Sequence, residues 1–195
     1  MDEGYIKFSC NWIKAKPFSK EKIVAINAWR DRCYKYGLIG AYPDEVGFGN
    51  ISIRLNGHSF IITGSATGCL EKLNEHHYVQ VTEYDFERNS LNCVGPIKAS
   101  SESLSHAIIY ESSPETNAVI HIHNMGMWKE YIHKVPTTKT NAMYGTPEIA
   151  NEIRRLFNET DVAVQRLIVM GGHKEGIITF GKTLAEAGSV LLERL

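Results

Sequence analysis

The 195-residue sequence predicts an α/β fold, a three-layer α/β/α sandwich with a mixed, largely antiparallel central sheet. Three observations predict it. Strand-like and helix-like segments alternate only in part, which disfavours an all-parallel sheet. Asn56-Gly57 separates two strand-like runs, the signature of a tight antiparallel hairpin. Helix-like segments with apolar residues at helical spacing are spread along the chain, enough to cover both faces of a sheet. At 43% hydrophobic the chain can bury a core as one domain, 1–195, with residues 1–19 a candidate N-terminal strand extension.

Residues 5–12 mix aromatic and β-branched types and read as a short strand. A helix over 19–36 follows, with Ser19 as N-cap, Ile23, Ile26, Ala28 and Cys33 inward, and Gly37 as the C′ stop. The hairpin strands are 51–55 and 59–63, and further strands are expected over 78–82 and 90–94. Residues 101–111 read as a helix with Leu104, Ala107, Ile108 and Glu111 at helical spacing. Residues 117–123 read as a buried strand. Thr146-Pro147 opens a helix with Pro at N1 and Ile149, Ala150, Ile153, Leu156 and Phe157 along it. Strands over 167–170 and 176–180 flank Gly171-Gly172-His173, and a last helix covers 183–192.

Net charge is −1, with no Lys/Arg block and no basic stripe interleaved with aromatics, so a nucleic-acid partner is not expected. A small molecule or a protein is the expected partner. The start Met1-Asp2-Glu3-Gly4 is acidic, and the apolar residues after it are broken by Lys7, Asn11 and Lys14, unlike a signal or transit peptide. No apolar run approaches the roughly 20 residues of a membrane span. Cys10, Cys33, Cys69 and Cys93 are scattered without a CxxC, and read as reduced thiols of a cytoplasmic protein.

Ala118-Val119-Ile120-His121-Ile122-His123 carries the main chemical signal. On a strand, His121 and His123 share one face with Val119, while Ala118, Ile120 and Ile122 take the other. Two imidazoles so placed can grip one divalent ion, zinc in the first instance; read alone, they fit equally well two buried histidines bonded to backbone. His173, after two glycines that permit close backbone approach, offers a third nitrogen and leaves an open coordination position of the catalytic kind. Glu102, in a serine-rich helix start, is either a favourable first-turn carboxylate or a proton-transfer group beside the metal. His106, four residues on, projects from the same helical face and reads as a packing or supporting residue, with a fourth ligand as the alternative.

Gly47-Phe48-Gly49-Asn50 precedes a strand, whereas the dinucleotide fingerprint follows a strand and opens a helix. A turn presenting N–H groups and the Asn50 amide to an anion fits better. Thr63-Gly64-Ser65-Ala66-Thr67-Gly68 is a second polar turn, and the serines before Glu102 make a third. Three such turns beside one metal would make a phosphate pocket.

The order Gly-Asn-Ile-Ser, Ile-Thr-Gly-Ser, Ser-Ser-Glu with His four on, Val-Ile-His-Ile-His and Gly-Gly-His resembles the class II aldolase/adducin family from about residue 20 onward. The resemblance implies an α/β/α domain, often a homotetramer with active sites at subunit interfaces. It implies His121, His123 and His173 as zinc ligands, Glu102 as catalytic acid/base, and Asn50, Thr63, Gly64, Ser100 and Ser101 at the substrate-phosphate positions. It further implies a zinc-dependent aldolase cleaving a small phosphorylated hydroxy-ketone through a metal-stabilised enediolate. The alternatives are a metal-dependent dehydratase or 4-epimerase acting on a sugar phosphate, and a non-catalytic adducin-like binding module. The second turn departs from the family's Thr-Pro-Thr/Ser-Gly pattern. The 123–173 stretch is shorter than in the sugar-phosphate aldolases and the chain stops at Leu195, so the family's cross-subunit tyrosines match no residue.

Overall fold

A computed structural model describes residues 5–195; the acidic start, residues 1–4, lies outside the described residues. The strands are β1 (Ser9–Lys14), β2 (Gly40–Ala41), β3 (Gly47–Phe48), β4 (Asn50–Arg54), β5 (Phe60–Thr63), β6 (Tyr78–Asp85), β7 (Ser90–Gly95), β8 (Ala118–His123), β9 (Leu167–Val169) and β10 (Gly176–Gly181). The helices are α1 (Lys20–Lys35), α2 (Ser103–Ser112), α3 (Met125–Tyr131), α4 (Pro147–Glu159), α5 (Val162–Gln165) and α6 (Leu184–Leu192). Eight strands form one sheet in the order β1-β7-β6-β5-β4-β8-β10-β9, while β2 and β3 pair separately. Only the β1–β7 pair of the large sheet is parallel. The mixed, largely antiparallel sandwich expected from sequence is the fold observed.

Each face of the sheet carries its own core. One contains Ile62, Val79, Val119, Ile178 and Phe180 under Leu104 and Ile108 of α2 and Ile149, Ile153 and Leu156 of α4. The other contains Ile51, Ile61, Ile120, Ile122 and Ile177 under Ile23 and Ile26 of α1 and Leu184, Ala187 and Leu191 of α6. The period-2 alternation of β8 therefore sorts Val119 from Ala118, Ile120 and Ile122, as read from sequence. No described helix is long and apolar enough to cross a membrane.

Several boundaries differ. The first strand begins at Ser9, where its N–H meets Asn89 and the ladder with β7 starts. Residues 5–8 precede that ladder. In α1, Gly37 takes φ +67 and its N–H reaches Tyr34 while Leu38 N–H reaches Cys33, the expected C′ stop. Ala28, however, is exposed, and Arg30 occupies the inward position. The hairpin is not a two-residue turn on Asn56-Gly57. Arg54 pairs with Phe60, and Ser59 N–H returns to Asn56, so Gly57 and His58 are the central turn residues. The 101–111 helix begins only at Ser103, with Glu102 at its N-cap and Glu111 exposed. Helix α3, unanticipated, is capped by the Asn124 side chain on Met127 N–H at 2.9 Å.

Arg30 is 1% exposed and was not singled out by any sequence pattern. Its guanidinium donates to the carbonyls of Thr67, Gly68, Leu70 and Glu71, stitching α1 to the segment after β5. Arg30→Leu would remove the one donor group that these four carbonyls share. The expected loss is about 3 kcal/mol, since each charged hydrogen bond contributes roughly 1.5–3 and they do not add fully. In a urea titration the midpoint should fall with the slope unchanged.

Candidate active site

His121 and His123 lie on β8, flanked by β4 and β10; Asn50 and Ile178 both pair with His121, and Gly176 pairs with His123. His173 sits in the turn between β9 and β10, closed by Met170 N–H on Gly176 and by His173 N–H on Met170. A Cβ at Gly171 would stand 2.2 Å from the Thr138 carbonyl oxygen, and one at Gly172 would stand 2.3 Å from that of Ala142. Only glycines let the 138–142 segment run across this turn, which is the close approach the sequence suggested. All three histidines are buried, and their candidate ligand atoms lie within 4.8 Å of one another.

Hydrogen bonds determine which ring nitrogen each strand histidine presents. His121 Nδ1 lies 3.2 Å from the Ile177 carbonyl, which can only accept, so Nδ1 carries the proton. Tyr42 donates its hydroxyl proton to Glu175 Oε2 at 3.0 Å, so its oxygen accepts from His123 Nδ1 at 2.7 Å. Both Nε2 lone pairs then face each other, 3.2 Å apart. Two lone pairs at that distance repel unless a cation lies between them. A tetrahedral ion with Zn–N bonds of about 2.0–2.1 Å separates its nitrogens by about 3.3–3.4 Å, close to this spacing. Burial, followed by the neighbouring His121 and His173, lowers the His123 pKa well below the ordinary imidazole value, so it stays neutral. The donor set fits a divalent metal.

Glu102 is 1% exposed. Its side chain does not cap α2 but turns toward the imidazoles: Oε1 lies 3.1 Å from His173 Nδ1 and 4.0 Å from His121 Nε2. Oε2 accepts from the Ser105 hydroxyl at 2.6 Å. Burial acts to raise the Glu102 pKa, but His173, His121 and Ser105 together outweigh it and hold the value at about 2. The arrangement is an ionised carboxylate against a cluster of imidazole nitrogens.

The three polar turns meet. Gly49 and Asn50, Gly64 and Ser65, and Ser100 and Ser101 line one recess, and Asn50 pairs with His121 across the sheet. Asn50 Oδ1 is buried there without a hydrogen-bond partner among the described residues. Thr63 is placed differently: its hydroxyl accepts from Ile51 N–H at 3.2 Å, tying β4 to β5. The N–H groups of Gly64 and Ser65 are taken by the carbonyls of His77 and Lys98. The polar side-chain residues lining this recess are Asn50, Ser65, Thr67, and Ser100 and Ser101 just before α2. His106 stands apart from the nitrogen cluster; its Nδ1 meets the Ser52 hydroxyl at 2.7 Å, which also meets Tyr110 at 2.7 Å. Burial, then the neighbouring His121, lowers its pKa to about 3.

Sequence reasoning missed four residues here. Tyr42 and Glu175 orient His123, Phe48 stacks on the His123 ring (centroids 5.2 Å, 19°), and Tyr144 lies over His173 (4.7 Å, 30°). Phe48 sits inside a motif whose reading rests on its glycines and Asn50. The others carry no local pattern.

A family model described as the Class II Aldolase and Adducin N-terminal domain matches residues 42–193. No curated protein sequence matches the chain. Among solved structures, YgbL from Escherichia coli, described as a putative aldolase/epimerase/decarboxylase, is similar at TM-score 0.66 and 16% identity, covering 89% of this chain and 84% of that one. The l-fuculose-1-phosphate aldolase of Thermus thermophilus is similar at 0.59 and 23%, covering 86% and 83%. A sugar-phosphate aldolase from Thermotoga maritima is similar at 0.66 and 16%, covering 88% and 90%. At these identities the likeness establishes the fold.

Proposed function

Since the chain belongs to the class II aldolase and adducin family, we propose that it is a zinc-dependent aldolase that cleaves a small, phosphorylated hydroxy-ketone. One observation carries this reading: three buried imidazoles converge with the Glu102 carboxylate 3.1 Å from the third. A buried ionised carboxylate beside three ligand-type nitrogens in one cluster is the kind of perturbed titratable group that marks a catalytic site, which favours an enzyme over a binding module.

His121, His123 and His173 would hold the ion. When bound, it supplies Lewis acidity toward the substrate's carbonyl oxygen. The protein's own groups do the rest. The Ile177 carbonyl and the Tyr42–Glu175 pair fix the ring tautomers, so the site is organised before substrate arrives. Glu102 Oε1 moves the proton at the reacting carbon or hydroxyl, while Ser105 holds Oε2 and so fixes the direction of Oε1. Asn50, Ser100 and Ser101 bind the phosphate, helped by the positive end of α2. Burial of the whole group excludes water from the cleaved carbon.

The test is a two-part measurement. Elemental analysis of protein purified without added metal should find about one divalent ion per chain. The zinc-loaded protein is then offered a panel of phosphorylated and free ketoses, with aldehyde release as the score. Aldehyde from a phosphorylated ketose is the expected result. Loss of water or a single isomeric product instead would move the reaction to dehydration or epimerisation, and a chain that neither carries nor takes up zinc would be a binding module.

A further inference from the structure

Cys10 on β1 and Cys93 on β7 lie with their sulfurs 3.5 Å apart, in hydrogen-bond contact. Cys10 is the register partner of Leu91, and Cys93 that of Trp12, so the two thiols are diagonal neighbours on one face of the parallel pair. Both pack against the core under α2 and α4. Cys10 is half-buried on the edge strand and Cys93 is fully buried behind it. We propose that Cys10 and Cys93 are a reversible thiol–disulfide site, reduced at rest and closed by a peroxide-class oxidant. This site lies outside the histidine cluster and does not depend on the aldolase reading.

The neighbours set the roles of the two sulfurs. The contact from Cys93, together with the Ala99 backbone and the Lys98 charge, outweighs burial and lowers the Cys10 pKa, while the same contact and burial raise that of Cys93. Cys10 is therefore the attacking sulfur and Cys93 the resolving thiol. The Cys10 thiolate attacks one peroxide oxygen, the O–O bond breaks, and after proton uptake one water leaves and a sulfenic acid remains. The Cys93 sulfur then attacks the Cys10 sulfur, the S–O bond breaks, and the second water leaves with the Cys93 proton. Two thiols lose two electrons and one peroxide gains them. The other cysteines lack this arrangement: burial pushes Cys33 up to about 12, and Cys69 is exposed with its sulfur 3.6 Å from the Ala66 carbonyl.

The crosslink would join an edge strand to its neighbour across 83 residues of sequence. Residues just before β1 reach the histidine site: Lys7 Nζ lies 4.0 Å from the centre of the Tyr144 ring, and Tyr144 lies over His173. Closing the disulfide therefore holds in place the strand that delivers this contact.

The experiment treats the full-length protein with hydrogen peroxide, alkylates it under denaturing conditions, and maps the peptides. The free-thiol count should fall from the four cysteines of the chain to two. A peptide pair linked through Cys10 and Cys93 should appear, and dithiothreitol should restore four. Hydrogen exchange over residues 5–14 should slow in the oxidised form and return on reduction. Cys10→Ser should retain all of its remaining thiols under the same peroxide dose. The proposal is overturned if Cys10 and Cys93 are recovered alkylated while Cys69 is oxidised, or if Cys10 ends as a sulfinic acid with Cys93 still free. Because the wild-type map decides the outcome, a poorly folding Cys93→Ala variant would not obscure it.

Discussion

Glu102→Gln is expected to lower kcat by about 100- to 10,000-fold, the range removed with a positioned general acid/base. The metal content should not change. Gln has the same shape, and its amide oxygen can still accept from Ser105, so the local packing around α2 survives. What disappears is a carboxylate held low by His173, His121 and Ser105 and aimed at the nitrogen cluster. The measurement is steady-state kinetics on the ketose that the wild-type chain cleaves fastest, with metal quantified on the same preparation. Full turnover in a metal-replete variant would sink the assignment of Glu102. A fall in both metal and turnover would instead make Glu102 part of the metal site.

His173→Ala should abolish tight zinc binding, costing more than the roughly 10- to 100-fold lost with a supporting partner of a ligand. Zinc at about 100 times its Kd stabilises a folded chain that binds one ion by about 2.7 kcal/mol. That thermal shift should be present in the wild type and absent in the variant. The metal-free variant should itself melt lower, because Glu102 loses its His173 partner, so the zinc-dependent shift is read within each protein. The strand histidines would still face each other, so the variant isolates the third ligand. Equal zinc stoichiometry in variant and wild type would mean that the ion sits elsewhere.

The two histidines of β8 were readable because strand alternation is a local rule: residues two apart must share a face. The same rule sorted Val119 from Ile120 and Ile122, and the two cores confirm it. The glycines before His173 were readable for a similar reason, because close approach leaves a mark at the residue where it happens. The start of α2 was placed two residues early. Glu102 takes φ −95, ψ 7 at the N-cap, and its side chain is drawn to the histidines and Ser105 instead of serving the helix. Local propensity could not register that pull.

From its own order of residues the chain determined its fold class, the face that carries His121 and His123, and the candidates His173 and Glu102. The tertiary structure alone decided that β8 lies between β4 and β10, which brings the His173 turn and the start of α2 to one point. It alone chose Tyr42 and Glu175 to orient His123, Arg30 to hold the carbonyls of 67–71, and a parallel β1 that sets Cys10 beside Cys93. Periodicity and capping act over a few residues and are written in the sequence. Contacts between residues 37 to 133 positions apart depend on the packing of whole elements, which no short stretch of sequence encodes.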